Sequence, residues 1–140
     1  MNSHKNPSTP VRIPVSRITD PRGDLSYVQN DGKIPFRIER AYWIYGVPEG
    51  GERGGHSHYV EERLIIAVAG CFDVVVDDGI TQATYHLDSP SEALYVPPGL
   101  WRTIEGFSQG AVLLALCSNL YDEDDYVRDY SEYLKLRGLK

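Results

Sequence analysis

Cysteine is scarce in this 140-residue chain, basic residues are outnumbered, and no apolar stretch is long enough to span a bilayer. Each shortage excludes something. Two cysteines, Cys71 and Cys117, both inside apolar runs, do not make a disulfide framework. With 14 Lys+Arg against 20 Asp+Glu the formal net charge is −6, so the chain lacks the positive footprint that phosphate backbones and anionic lipids select. Neither nucleic acid nor a membrane is expected as a partner. No like-charge run exceeds Asp122-Glu123-Asp124-Asp125, and there is no internal repeat or low-complexity tract. With no apolar signal stretch at the start, the chain reads as soluble and cytoplasmic.

What is present suits one domain. A chain of this size hides roughly two thirds of its unfolded surface, enough for a core without covalent staples. Residues 1–10 are polar and Pro-containing, and read as a disordered tail in which His4 has no role; residues 11–140 form the single domain. Short alternating runs follow: Val11 to Val15, Leu25 to Tyr27, Phe36 to Tyr45, Arg63 to Val68, Phe72 to Val76, Ile80 to Leu87, Ala93 to Val96, Trp101 to Ile104 and Ala111 to Cys117. Asp78-Gly79 is a hairpin turn and Pro97-Pro98-Gly99 another break, so the class is all-β, a sandwich or barrel. After Tyr121 the period becomes helical. Tyr126, Tyr130, Tyr133 and Leu134 fall at i, i+4, i+7 and i+8, predicting a short C-terminal helix whose tyrosines pack on the body.

Chemistry concentrates between Gly50 and Glu62. If His56-Ser57-His58 is a strand, both imidazoles leave one face, about two rises of 3.3 Å apart. Arg53 lies three residues before, glycines allow close approach of backbone to ligand, and Glu62 shares the strand parity of the histidines. This pattern predicts acid, base and cation on one face, facing a lumen that can hold a small ligand.

Glycine, a spacer, His-x-His and then Glu is the form of the first motif of the cupin superfamily, which this stretch resembles. The resemblance implies a jelly-roll β-barrel. Its second motif, a Pro-x-Gly turn followed two residues later by histidine, is matched by Pro97-Pro98-Gly99, with Arg102 in the histidine's place. A guanidinium has no lone pair to give and repels a neighbouring cation, so Arg102 cannot ligate a metal. His56, His58 and Glu62 still compose a three-ligand facial set, which keeps a metal-dependent cupin oxygenase open as a rival reading.

More of the chain narrows the resemblance. Asp20-Pro21-Arg22-Gly23, Ile34-Pro35-Phe36, Arg40-Ala41-Tyr42, Arg53-Gly54-Gly55-His56-Ser57-His58, Asp77-Asp78-Gly79, Leu87 to Pro90, Leu94-Tyr95-Val96, Trp101-Arg102 and Tyr121 to Tyr126 together look like the sugar-nucleotide 3,4-ketoisomerases. That likeness implies a homodimer that uses neither metal nor cofactor. It implies a substrate, dTDP-4-keto-6-deoxyglucose, converted to a 3-keto isomer on the way to 3-amino-3,6-dideoxyhexoses of bacterial surface glycans. His56 and His58 map onto the family's essential pair. Arg22 and Arg102 map onto the two positions that go with gluco or galacto configuration at C4, and arginine at both is a mixed combination.

The residue types suit such a reaction. Moving a carbonyl from C4 to C3 requires removing the C3 proton, passing through an enediol and returning a proton to C4. Imidazole, with an ordinary pKa of about 6.5, takes and gives protons near neutrality. His58 is assigned to the carbon-bound proton and His56 to the oxygens, with the reverse also open. Arg22, Arg53 and Arg102 are candidates for stabilising the enediolate or holding the diphosphate, and Tyr42 for a hydrogen bond in the lumen. A sugar-nucleotide epimerase and a non-catalytic sugar-nucleotide binder would use the same kind of pocket and stay open beside the isomerase. Against the epimerase stands the lack of a recognisable His-Asp pair and lysine of the sugar 3,5-epimerase type.

Overall fold

A computed structural model describes residues 3–139, and among them the alternating runs form twelve strands. In chain order these are β1 (Val11–Pro14), β2 (Ser16–Asp20), β3 (Gly23–Tyr27), β4 (Arg40–Ile44), β5 (Arg53–His58) and β6 (Arg63–Ala69). Then come β7 (Phe72–Asp77), β8 (Gln82–Leu87), β9 (Glu92–Val96), β10 (Trp101–Glu105), β11 (Val112–Cys117), β12 (Tyr126–Val127) and one helix, α1 (Tyr130–Leu136).

Two five-stranded sheets pack as a jelly-roll, with orders β1-β9-β6-β11-β4 and β12-β5-β10-β7-β8, all pairs antiparallel. From β4 onward nearly every connection crosses to the other sheet. The exception is the β7–β8 hairpin over the expected Asp78-Gly79 turn. The core between the sheets holds Ile65, Phe72, Val74, Leu94, Leu113 and their neighbours. A second cluster, around Leu64, Ile66, Ala93 and Leu116, lies on the far face of β6 and its neighbours. Burial on both faces explains why β6 reads as an unbroken apolar run rather than an alternation. Each large side chain so buried contributes about 1.5–3 kcal/mol.

Three expectations are corrected. The run from Phe36 is shorter than its apolar pattern implied: β4 begins only at Arg40, because Phe36 and Ile38, with Val28 and Ile34, pack on the outer cluster instead of pairing in a sheet. The helix begins later than its tyrosine stripe. Asp129 caps it by accepting from the Ser131 N–H at 2.8 Å, which leaves Tyr126 in β12. And the described part of the N-terminal segment is not a frayed tail, since His4 is fully buried and hydrogen-bonded to Ser57 at 2.8 Å. A polar segment can dock when the body supplies its partners. Residues 1 and 2 of the expected tail lie outside the described residues. Among the described residues no helix is long and apolar enough to cross a membrane.

Candidate active site

One cavity of about 450 Å³ opens at the end of the sandwich where β4 and β6 of one sheet face β5 and β10 of the other. Its position follows from a local device in β5. Ile104 pairs with Arg53 and Thr103 with Gly54, but Arg102 pairs with His56, so Gly55 is the extra residue of a bulge. Gly54 and Gly55 have φ of +87° and +75°, and a β-carbon on Gly54 would stand 3.0 Å from the Arg102 carbonyl oxygen. The glycines were expected to admit a ligand. They also set the register in which His56 pairs with Arg102 across β5 and β10.

The two histidines share a face, as expected, but not an environment. Their rings meet edge to face with centroids 4.8 Å apart. His56 lines the cavity, and among the described residues neither of its ring nitrogens has a hydrogen-bond partner. Burial, reinforced by Arg102, Arg63 and Arg128, lowers its pKa to about 3, so the ring is neutral at pH 7. His58 is fully buried behind it. Its Nδ1 is 3.1 Å from Asp125 Oδ2, and Arg63 donates to its Nε2 at 3.2 Å. Because Arg63 can only donate, Nε2 carries the lone pair and Nδ1–H faces Asp125. Burial first and the same arginines second push the His58 pKa strongly down. A His-Asp pair therefore exists that the sequence did not reveal.

That pair is anchored in turn. Asp125 accepts the backbone N–H of Val60 at 2.8 Å and of Glu61 at 3.1 Å, and closes a 3-10 turn (Glu123–Asp125) at the entry to β12. Glu61 bridges Arg63 and Arg40, the latter at 3.0 Å. Tyr126 pairs with His58 across β12 and β5, and its ring lies 4.9 Å from that of His56 and 4.3 Å from that of His58.

Of the expected binding residues, Arg53, Tyr42 and Arg102 line the cavity with His56. Arg102 is fully buried. It donates from Nη2 to the Pro97 carbonyl at 3.3 Å, while Nε and Nη1 have no partner among the described residues. Burial, then Arg63, lowers its pKa to about 10, so it keeps its charge at neutrality. Tyr42 lies under the Arg63 guanidinium, 5.1 Å from ring centroid to Cζ. Arg22 is elsewhere. Its side chain is 90% exposed and paired with Asp20 at 2.8 Å, because β2 and β3 pair only with each other and hold it away from the cavity. Glu62 also departs: the chain bends after His58, strand parity is lost, and Glu62 accepts from the Tyr95 hydroxyl at 2.7 Å. Among the described residues no three His, Cys, Asp or Glu side chains converge as metal ligands.

A family model described as FdtA, WxcM-like, C-terminal, matches residues 10–138. The chain belongs to the FdtA family. It is 37% identical over 123 residues, 88% of either chain, to the TDP-4-oxo-6-deoxy-α-D-glucose-3,4-oxoisomerase of Aneurinibacillus thermoaerophilus. Two solved structures are equally close in fold. A 3,4-ketoisomerase from Helicobacter canadensis superposes with a TM-score of 0.89 at 34% identity, covering 92% of this chain and 97% of its own. A His-to-Asn variant of the 3,4-ketoisomerase QdtA from Thermoanaerobacterium thermosaccharolyticum, in complex with TDP-4-keto-6-deoxyglucose, gives 0.88 at 33%, covering 90% and 91%.

Within this FdtA-family chain, sequence reasoning missed Arg40, Arg63, Arg128, Asp125 and Tyr126, all at or behind the cavity. Arg40 and Asp125 belong to segments that carried the resemblance, Arg40-Ala41-Tyr42 and Tyr121 to Tyr126, but no local pattern tied them to the histidines. Trp101, partly buried, packs edge-on against Tyr130 with ring centroids 5.2 Å apart. Both cysteines are free, but Cys117 accepts from Arg40 at 3.5 Å, a basic neighbour supplied by β4. His86 pairs with Asp73 at 2.7 Å across β7 and β8.

Proposed function

We propose that this protein is a 3,4-ketoisomerase acting on a dTDP-linked 4-keto-6-deoxyhexose, with His56 as the base that takes the C3 proton. One observation carries the reading: an imidazole and a buried guanidinium, each with two nitrogens unpartnered among the described residues, share one cavity. A buried charge left unpaired is costly, and a ligand oxyanion placed there offsets the cost. General acid–base help is worth roughly 10²–10⁴, so the enediolate also needs electrostatic stabilisation. Arg102 serves that role at the O4 oxygen. Arg53 and Arg128, nearer the mouth, hold the diphosphate, and Tyr42 hydrogen-bonds the sugar oxygens. As the C3 proton passes by way of the base to C4, the O3 hydroxyl proton moves to O4, and no electron leaves the sugar.

His58 acts through His56. Both of its nitrogens are engaged, which reverses the sequence-based division of labour and makes it a positioning residue held by Asp125 and Arg63. The reaction uses no metal or cofactor, in keeping with an arginine at the position of the second-motif ligand. The product feeds 3-amino-3,6-dideoxyhexose synthesis for surface glycans in the cytoplasm. The protein is further proposed to be a homodimer, supported by the cross-strand pair Ile18 and Leu25 on the β2–β3 hairpin, 55% and 56% exposed. The hairpin's Arg22 then has a route to substrate only through such an assembly.

Incubation with dTDP-4-keto-6-deoxyglucose in deuterated water, followed by NMR, tests the reading. A 3-keto product carrying deuterium at C4 is expected. Exchange at C3 or C5 with the ketone still at C4 identifies an epimerase instead, and binding with neither change identifies a non-catalytic binder.

A further inference from the structure

The face of β5 opposite the imidazoles is also occupied. Ser57 lies between His56 and His58 and points away from the cavity by strand parity. Its hydroxyl is hydrogen-bonded to Nε2 of His4, and both residues are fully buried. The His4 ring is wedged between Tyr59 and Tyr133, with centroids 5.0 Å and 5.6 Å away. Ser3 donates from its hydroxyl to the Tyr59 carbonyl at 2.6 Å. From the far side, Arg137 donates to the carbonyls of His4 and Lys5 at 3.2 Å and 2.8 Å. Gly99 belongs to the same socket. Its N–H donates to the His58 carbonyl at 2.9 Å, and a β-carbon there would collide with the Ser3 carbonyl oxygen.

We infer that residues 3–5 form a latch on the back of the imidazole strand, with His4 as a positioning residue that fixes His56 through Ser57. The family match begins at residue 10, so the latch lies outside the part of the chain that the match covers. The physical case is one of tolerance. A misplacement of about 1 Å at a reacting group can cost about 10²-fold in rate. The strand β5 carries a bulge immediately before His56, where its pairing with β10 shifts register, so a restraint from the opposite face acts where the ladder is interrupted. A hydrogen bond to the one residue between the two imidazoles restrains both. Burial, with Arg102 and Arg137 in support, lowers the His4 pKa to about 4, so the latch stays neutral at working pH.

The inference rests on the isomerase reading for its kinetic arm and on spectroscopy alone for the other. His4→Ala is expected to lower kcat about tenfold with KM within twofold. His4→Gln, whose amide reaches the same hydroxyl, should recover kcat to within twofold of the parent. Adding Ser57→Ala to His4→Ala should cost nothing more, because the two changes break one link. If His4→Ala does not fold, Ser57→Ala alone, which removes only a hydroxyl, should give the same tenfold drop. Imidazole resonances of His56 and His58 should move in His4→Ala and return in His4→Gln. A parental kcat and unmoved resonances in His4→Ala would overturn the latch, as would losses that add between the two sites. If the parent enzyme turns over no substrate but the resonances move as stated, the isomerase reading fails and the latch stands.

Discussion

Two imidazoles two residues apart end up in opposite surroundings, and the proposed division of tasks follows from what touches their nitrogens. His56 lines the cavity with both ring nitrogens unpartnered among the described residues, whereas His58 is closed between Asp125 and Arg63. His56→Ala is expected to reduce kcat by at least about 10², the lower end for a lost acid–base group, and His58→Ala by a comparable factor through misorientation of its neighbour. Steady-state assay of purified variants checks both, and full activity in either removes that residue from the mechanism. The pH profile separates them further. A base is active when deprotonated, and burial among arginines lowers the His56 pKa to about 3. The acidic limb of kcat/KM should therefore be absent between about pH 8 and pH 5, where an ordinary imidazole would show one near 6.5. Bound diphosphate raises the pKa of a nearby imidazole, so the limb in kcat should lie at higher pH than that in kcat/KM. The histidine pair was legible in the sequence because strand parity is a local property. Asp125, Arg63 and Tyr126 were not, since they reach the pair from other strands and carry no spacing that announces it.

At the scale of the element, the bulge in β5 governs the site. Gly54→Ala forces a β-carbon into the left-handed region and within 3.0 Å of a backbone oxygen that cannot swing aside. The expected result is a stability loss of about 1–3 kcal/mol and at least a tenfold fall in kcat, read by thermal melting and assay. Gly110→Ala is the matched control: its φ is +75° but nothing stands within 4 Å, so it carries the backbone cost without the clash. Strand existence was readable from the short apolar runs, but burial of β6 on both faces was not, and emerged only when the two clusters on either side of it were seen. Function of the glycines was not readable either, because a run of Gly reads alike whether it admits a ligand or inserts a bulge. Glu62 was misplaced for a related reason: parity arguments lapse where the chain bends, here directly after His58.

For the molecule as a whole, the net charge of −6 conceals a cationic interior, since five arginines line the cavity. Composition pointed away from nucleic acid, but it could not foretell that the positive charges would gather at one mouth. Only the fold brings β4, β6 and β10 together there. The β2–β3 hairpin is the other feature visible only at this scale, an apolar pair held off the sandwich. Ile18→Asp with Leu25→Asp should convert the proposed dimer to monomer in sedimentation velocity without unfolding it. A wild-type protein that sediments as a monomer at micromolar concentration would sink the dimer.

The cavity draws His56 and Arg102 from one leaf of the sandwich and Tyr42 and Arg63 from the other. Neither leaf alone carries both a proton acceptor and the full set of charges around it. Catalytic competence is thus tied to closure of the whole jelly-roll: a folding intermediate, a proteolytic fragment or a half-gene expressed alone inherits an incomplete set of tools. Activity should return during refolding only with the last, cooperative step.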